Sequence, residues 1–359
     1  MPLEQKSPGQ KLTTPEAMRG FVEGVDNLNA YFRTNSGERL TDAEKQLNQS
    51  LTADPDFTPA QYYKAIVLTH ARKANNAVVL LEDLVQKETS FKIEILYNLT
   101  FAYSKTYNYD NVKKALDAID EAKGLAISQK RVDMELLIHA MKAWVMAVFG
   151  GLELKQPADF DWRKQEYLPK AAELADWVLA NERLREVPKE TAKTVKVESN
   201  NASGIAFMYM GRYSGLFEGE TESYWQQSEQ YYEAARHLHP QDVRVLDNLA
   251  TLYLMRASRA WRDGRPDEMK KHSEAANELV LEALSCNTHD QFRHRLRARA
   301  CALLEDKEGA LAAVEQMRYE PGVFNKPRID ELETAINADE LSALVEVPEE
   351  KKLPQQLRH

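Results

Sequence analysis

The chain has 359 residues, with 47 Lys and Arg against 56 Asp and Glu, a net charge of -9, and 43% hydrophobic residues. That balance excludes a whole-surface binder of polyanions, and 14 glycines with 14 prolines are too few for a loop-rich β protein. Two cysteines, Cys286 and Cys301, make no disulfide framework, and the longest apolar run, near 143–151, is too short to span a membrane.

From the N-terminus, Met1 to Thr14 is polar and lacks the apolar stretch of a secretory signal, so a soluble cytoplasmic protein is expected. Thr14-Pro15-Glu16 starts the first predicted helix, a cap residue followed by proline at the first helical position. It runs to about Tyr31 and stops at Thr34-Asn35-Ser36-Gly37; a second spans Thr41 to about Ala53 and ends at Asp54-Pro55. Helices over 58–73, 75–88, 91–106 and 109–124 follow, then a long apolar one over 129–149 closed by Gly150-Gly151. A loop with Pro157 covers 150–160, and helices resume over 162–184, 189–213 and 222–238, the last after a glycine-containing connector from Gly211 to Glu220. Asp242 caps a helix to about Arg262, and Gly264-Arg265-Pro266-Asp267 stops it and starts the next. The remaining helices fall over 266–286, 289–305, 307–318 and 326–338. No sustained period-two alternation occurs, so the fold class is all-α, and short turns between long helices imply antiparallel hairpins.

A recurring spacing organises these helices. Leu246 lies six residues after Pro240, and Leu249, Ala250 and Tyr253 follow it at offsets of three, four and seven; the helix before Pro240 carries Ser228, Tyr232 and Ala235 as a small-large-small seam. Ala43, Leu47 and Ser50 with Ala65 and Leu68, then Leu96, Leu99, Thr100 and Tyr103, then His294, Ala298 and Cys301 repeat the grammar in weaker letters. Small residues at a helix crossing let backbones approach while large ones fill the grooves beside them. This recurrence resembles the tetratricopeptide repeat family over roughly 40–125 and 228–320, and only in topology between them. The resemblance implies a right-handed superhelix of antiparallel helical hairpins, with longer irregular helices in the middle. Five segments are expected: a disordered N-terminus at 1–13, hairpins over 14–125, extended irregular hairpins over 126–221, hairpins over 222–338, and a mostly disordered tail at 339–359.

In that family the first helices of successive hairpins line a concave groove that contacts partners. Carried over, the groove positions are Tyr62, Ile66, Tyr97, Asn98, Phe101, Lys105, Arg244, Asn248, Arg295 and Arg299, although Ile66 and Phe101 serve equally well as core between hairpins. The resemblance implies a non-enzymatic scaffold or adaptor that binds another protein or a peptide segment. A second feature is local basicity: residues 244–299 hold eleven Lys and Arg against eight Asp and Glu. Arg256, Arg259, Arg262 and Arg265 form a drifting stripe, with Arg293, Arg295, Arg297 and Arg299 on a later helix. These arginines suit an acidic peptide, a C-terminal carboxylate or phosphate, or else form a solvated face paired with Glu274, Glu278 and Glu282. The alternative function is a regulatory or sensor subunit binding an anionic small ligand or nucleic acid through this face. Nucleic acid is disfavoured, because Trp261 beside the arginines fits a buried anchor better than a base-stacking platform.

No catalytic motif is present: the sequence lacks a phosphate loop, a nucleophile elbow and a paired-cysteine motif. Cys286, His289 and His294 straddle a helix boundary without a fourth ligand at familiar spacing, and His237 and His239 diverge on one helix, so no metal and no cofactor is expected. The long middle helices offer a surface for a homodimer, and no membrane contact is predicted.

Overall fold

The computed structural model describes residues 13–34, 36–87, 90–106, 108–153, 166–214, 217, 220–286, 291–319 and 326–338. The tail at 339–359, the first twelve residues, 154–160 of the expected Pro157 loop, the expected helix start at 162–165 and His289 lie outside the described residues. The long apolar helix does not close at Gly150-Gly151 but runs through them to Glu153, the two glycines lying close against the Leu168 and Tyr209 side chains. Fifteen α-helices are described: α1 Pro15–Thr34, α2 Gly37–Ala53, α3 Thr58–His70, α4 Ala74–Lys87, α5 Lys92–Lys105, α6 Tyr109–Ser128, α7 Val132–Glu153 and α8 Tyr167–Ala180. After them come α9 Lys189–Arg212, α10 Thr221–Leu238, α11 Val243–Arg262, α12 Pro266–Cys286, α13 Gln291–Leu303, α14 Lys307–Tyr319 and α15 Lys326–Asn337. No strand occurs among the described residues, and within α1–α5 and again within α6–α15 each helix packs on the next as a tetratricopeptide-like run of hairpins. The chain forms two compact units, 1–106 with α1–α5 and 107–359 with α6–α15.

The caps follow the local chemistry. Thr14 accepts the Ala17 N–H at 3.1 Å and Asp242 accepts the Arg244 N–H at 3.0 Å, each satisfying an orphan donor of a first turn. α2 begins one turn earlier than its sequence suggests, because Leu40 is buried and draws that turn into the hairpin. The helix expected over 162–184 ends at Ala180 and yields to a 3₁₀ turn, Glu182–Arg185, once the Asn181 side chain accepts the Arg183 N–H at 3.0 Å. Four helices end in one device: a residue in the left-handed region followed by an N–H bonded five residues back. Arg72 (φ 60°), Lys130 (φ 55°), Gly264 (φ 67°) and Glu305 (φ 61°) hold the left-handed position. The bonds are Lys73 to Leu68, Arg131 to Ala126, Arg265 to Ala260 and Asp306 to Cys301, at 2.8 to 2.9 Å.

Within the first unit, α1 and α2 meet along Ala17, Gly20 and Gly24. A Cβ on Gly20 would stand 2.9 Å from the Gln46 carbonyl oxygen, so only glycine admits this crossing. Buried Ser50 donates to the Ala17 carbonyl at 2.6 Å across the seam. The same joint recurs in the second unit, where Ser228 donates to the Gly204 carbonyl at 2.8 Å and Tyr232, fully buried, lies over Gly204. The Ser228-Tyr232-Ala235 seam therefore closes on α9, a helix the sequence reading leaves irregular. α9 packs on α7, α8 and α10, which buries every residue from Val197 to Ala206, polar ones included.

Candidate functional site

In the first unit, α1, α3 and α5 are the first helices of successive hairpins, and aromatic side chains connect them. The His70 ring on α3 lies 5.7 Å from Tyr31 and 5.1 Å from Phe32 on α1, and 5.5 Å from Phe101 on α5. Lys105 holds its ammonium 5.2 Å over the Phe101 ring. Phe32 remains 45% exposed, whereas Phe101 is buried and Ile66 packs half-buried on the core of the unit. Tyr62 is buried too: its hydroxyl accepts Asn98 Nδ2 at 2.7 Å, and Asn98 also donates to the Glu94 carbonyl at 2.9 Å. Burial pushes the Tyr62 phenol far above its ordinary value, with Tyr63 and Glu94 adding to the effect. Tyr62 and Asn98 thus tie α3 to α5, while Tyr97 and Lys105 stay half-buried at the face.

In the second unit the predicted cations meet acids of the chain itself. Arg244 on α11 binds Glu198 of α9 at 2.8 Å and grips Asp242 with Nη2 at 2.7 Å and Nε at 3.1 Å. Asn248 donates to Asn201 of α9 at 2.9 Å. One hairpin later Arg293 of α13, 5% exposed at its side chain, clasps Asp247 of α11 at 2.9 Å. Burial alone would raise the Asp242 carboxyl, but the Arg244 charge and hydrogen bonds override it and hold it below the usual range. Arg295 is half-buried, and Arg299 is buried.

The stripe of Arg256, Arg259, Arg262 and Arg265 is not one surface. Steps of three lag a 3.6-residue turn, so Arg256 and Arg262 point about 120° apart on α11, and Arg265 lies past the end of that helix, beyond the left-handed Gly264. Arg256 is 6% exposed and pairs with Glu229 at 2.5 Å and Glu222 at 3.0 Å, both on α10. Arg259 lies 5.8 Å from the Trp225 ring and 3.7 Å from Asp263, while Arg265 pairs with Asp263 and Glu268; Arg262 is exposed. The partners are these acids rather than Glu274, Glu278 and Glu282; of those three, Glu282 is taken by Arg236 at 2.7 Å. Trp261 is half-buried. Among the described residues, no group of three or more His, Cys, Asp or Glu could hold a metal ion. Sequence reasoning missed Tyr31, Phe32 and His70, whose signal was an aromatic pair and a histidine ending two first helices. It also missed Glu198 and Asp247, acids on first helices, and read Asp242 as a cap without its ion pair to Arg244.

An all-α array of hairpins, aromatic on the first-helix face of one unit and ion-paired on that of the other, is the class of protein these observations define. No family model matches the chain, and no curated protein does. Among solved structures, it is similar to a tetratricopeptide repeat protein from Parabacteroides merdae, at 14% identity and a TM-score of 0.44 over 89% of this chain and 99% of that one. It is also similar to the thermophilic TPR protein TTC0263 of Thermus thermophilus (16% identity, TM-score 0.33, 80% and 99% covered). A third is the TPR2AB domain of yeast Sti1 in complex with pHSP90 (14% identity, TM-score 0.30, 89% and 98% covered). Scores below 0.5 leave the fold to be argued from this chain's own helices. No described helix is long and apolar enough to cross a membrane.

Proposed function

We propose that this chain is a non-enzymatic interaction scaffold that holds a segment of another protein on the first-helix face of its N-terminal unit. The observation that carries this reading is the aromatic strip of Tyr31, Phe32, His70 and Phe101 across α1, α3 and α5, with Phe32 exposed and Lys105 at its edge. Aromatic side chains offer large contact areas at low entropy cost and dominate binding energy at interfaces. Tyr97 and Ile66, half-buried on α5 and α3, extend the same surface. The ion pairs of Arg244, Arg256, Arg259, Arg265 and Arg293 count against the basic C-terminal half as the docking face, because an incoming carboxylate would have to displace one already bound.

The test compares wild type with a Phe32→Ser, Lys105→Ala variant in crosslinked pull-downs from native lysate, quantified by mass spectrometry. Loss of a reproducible partner with an unchanged melting temperature supports the face. Equal capture by both proteins places binding elsewhere, and an Arg295→Ala, Arg299→Ala variant that alone loses the partner would favour the basic half.

A further inference from the structure

Where α10, α11 and α12 meet, four polar side chains form one packed group. Tyr253 of α11 donates its hydroxyl to Glu229 of α10, and Arg256, one turn further along α11, binds the other oxygen of that carboxylate at 2.5 Å. The Arg256 guanidinium lies 5.9 Å from the Tyr253 ring and reaches Glu222 of α10 at 3.0 Å. His272 of α12 stacks on the same Tyr253 ring, with centroids 5.9 Å apart and planes 20° from parallel. Its charged surroundings are Glu229 from α10, Arg256 from α11, and Lys271 and Glu268 from α12.

A neutral imidazole suits this place, because it covers the tyrosine ring without adding charge. An imidazolium would bring a second cation to a ring that already carries Arg256. The carboxylate in reach from α10, Glu229, is committed to Arg256 and Tyr253, and Lys271 adds repulsion beside it. Glu268 is held by Arg265. The balance of burial, two cations and two engaged acids therefore disfavours the protonated ring, and His272 is correspondingly harder to protonate than a free histidine.

We propose that the stack of His272 on Tyr253, beside the Arg256–Glu229 pair, is an acid-sensitive joint: it fastens α12 to α11 and α10 while the imidazole is neutral and loosens them when the imidazole takes up a proton. The proton goes to a ring nitrogen and no bond is broken, so the response is reversible. The device is independent of the N-terminal docking face.

Hydrogen exchange with mass spectrometry on the full chain tests it, comparing protection factors at pH 7.5 and 5.5 for peptides from α10, α11 and α12. Glu229 is held below its ordinary value by its bonds to Tyr253 and Arg256, so it stays ionised over this range. Wild type should lose protection several-fold in these peptides on acidification and regain it on return. His272→Phe keeps a flat ring over Tyr253 without a titrating group and should abolish the loss; His272→Gln should do the same if the phenylalanine does not fold. An equal loss of protection in a folded variant, or no loss in wild type, overturns the proposal.

Discussion

At Gly204 an added Cβ would stand 2.5 Å from the Tyr232 ring, and that ring is fully buried and cannot retreat. Gly204→Ala should therefore destabilise the second unit by about 1–3 kcal/mol, the usual penalty of overpacking a close seam, read as a lower denaturation midpoint. Gly124 makes the contrast, since nothing lies within 4 Å of its added Cβ, and alanine there should not lower stability. Arg244 sits between Glu198 and Asp242, whose side chains are 11% and 10% exposed, so removing it leaves two nearly buried carboxylates facing each other. Its own side chain is 35% exposed, which keeps the effect below that of a fully buried pair. Arg244→Ala should cost about 2 kcal/mol of stability, and Glu198→Gln in the same chain should recover part of it. An unchanged melting temperature would mean that the pair contributes nothing to hairpin stacking.

The helix ends show how far local sequence reaches. Asp54-Pro55, Gly264-Arg265-Pro266 and the Thr14-Pro15 start carry their own stereochemistry, so the boundaries of most helices were legible to within a few residues. Of the four left-handed turns, one has glycine; Arg72, Lys130 and Glu305 occupy the same conformation, and nothing in their residue type announces it. Tertiary packing of the flanking helices pins these turns against an intrinsic cost of roughly 1–2 kcal/mol each. Glycine removes that cost but gives the unfolded chain more freedom, so Glu305→Gly should gain about 0.5–1 kcal/mol. The check is a rise in denaturation midpoint with an unchanged slope; a fall would mean that the Glu305 side chain holds the turn. The candidate site was less legible than the helices for a related reason. Periodicity places Tyr62, Phe101 and Arg256 on a helix face, but burial is decided by neighbours far away in sequence, such as Asn98, His70 and Glu229. Arg256 in particular reads as part of a surface stripe until α10 is known to lie across it.

At the scale of the whole molecule, two histidines and three carboxylates of the second compact unit depart from their ordinary ionisation. His139 and His272 are both pushed below the ordinary histidine value of 6.5, chiefly by burial and then by neighbouring cations. The unfolded chain thus binds these protons more readily than the folded one, and their contribution is fully present above pH 6.5 and falls as the pH drops below it. Asp133 and Asp242, against an ordinary 3.8, and Glu229, against 4.5, are held down by Arg131, Arg244 and the Tyr253–Arg256 pair, which override the opposing effect of burial where it is larger. The stability they supply is present above those ordinary values and disappears as the pH falls through the lower folded ones. Acid should accordingly weaken the protein in two stages, a histidine stage below pH 6.5 and a carboxylate stage below about pH 4.5. All five groups belong to the unit spanning 107–359, so both stages should register there first. Peptide-resolved hydrogen exchange from pH 7.5 down to 3.5 separates the units directly: protection in α7 through α12 should fall stepwise while that of α1 to α4 holds longer. Simultaneous loss in both units at the first stage would mean that they unfold as one cooperative body, with the acid response of the second unit carried into the first.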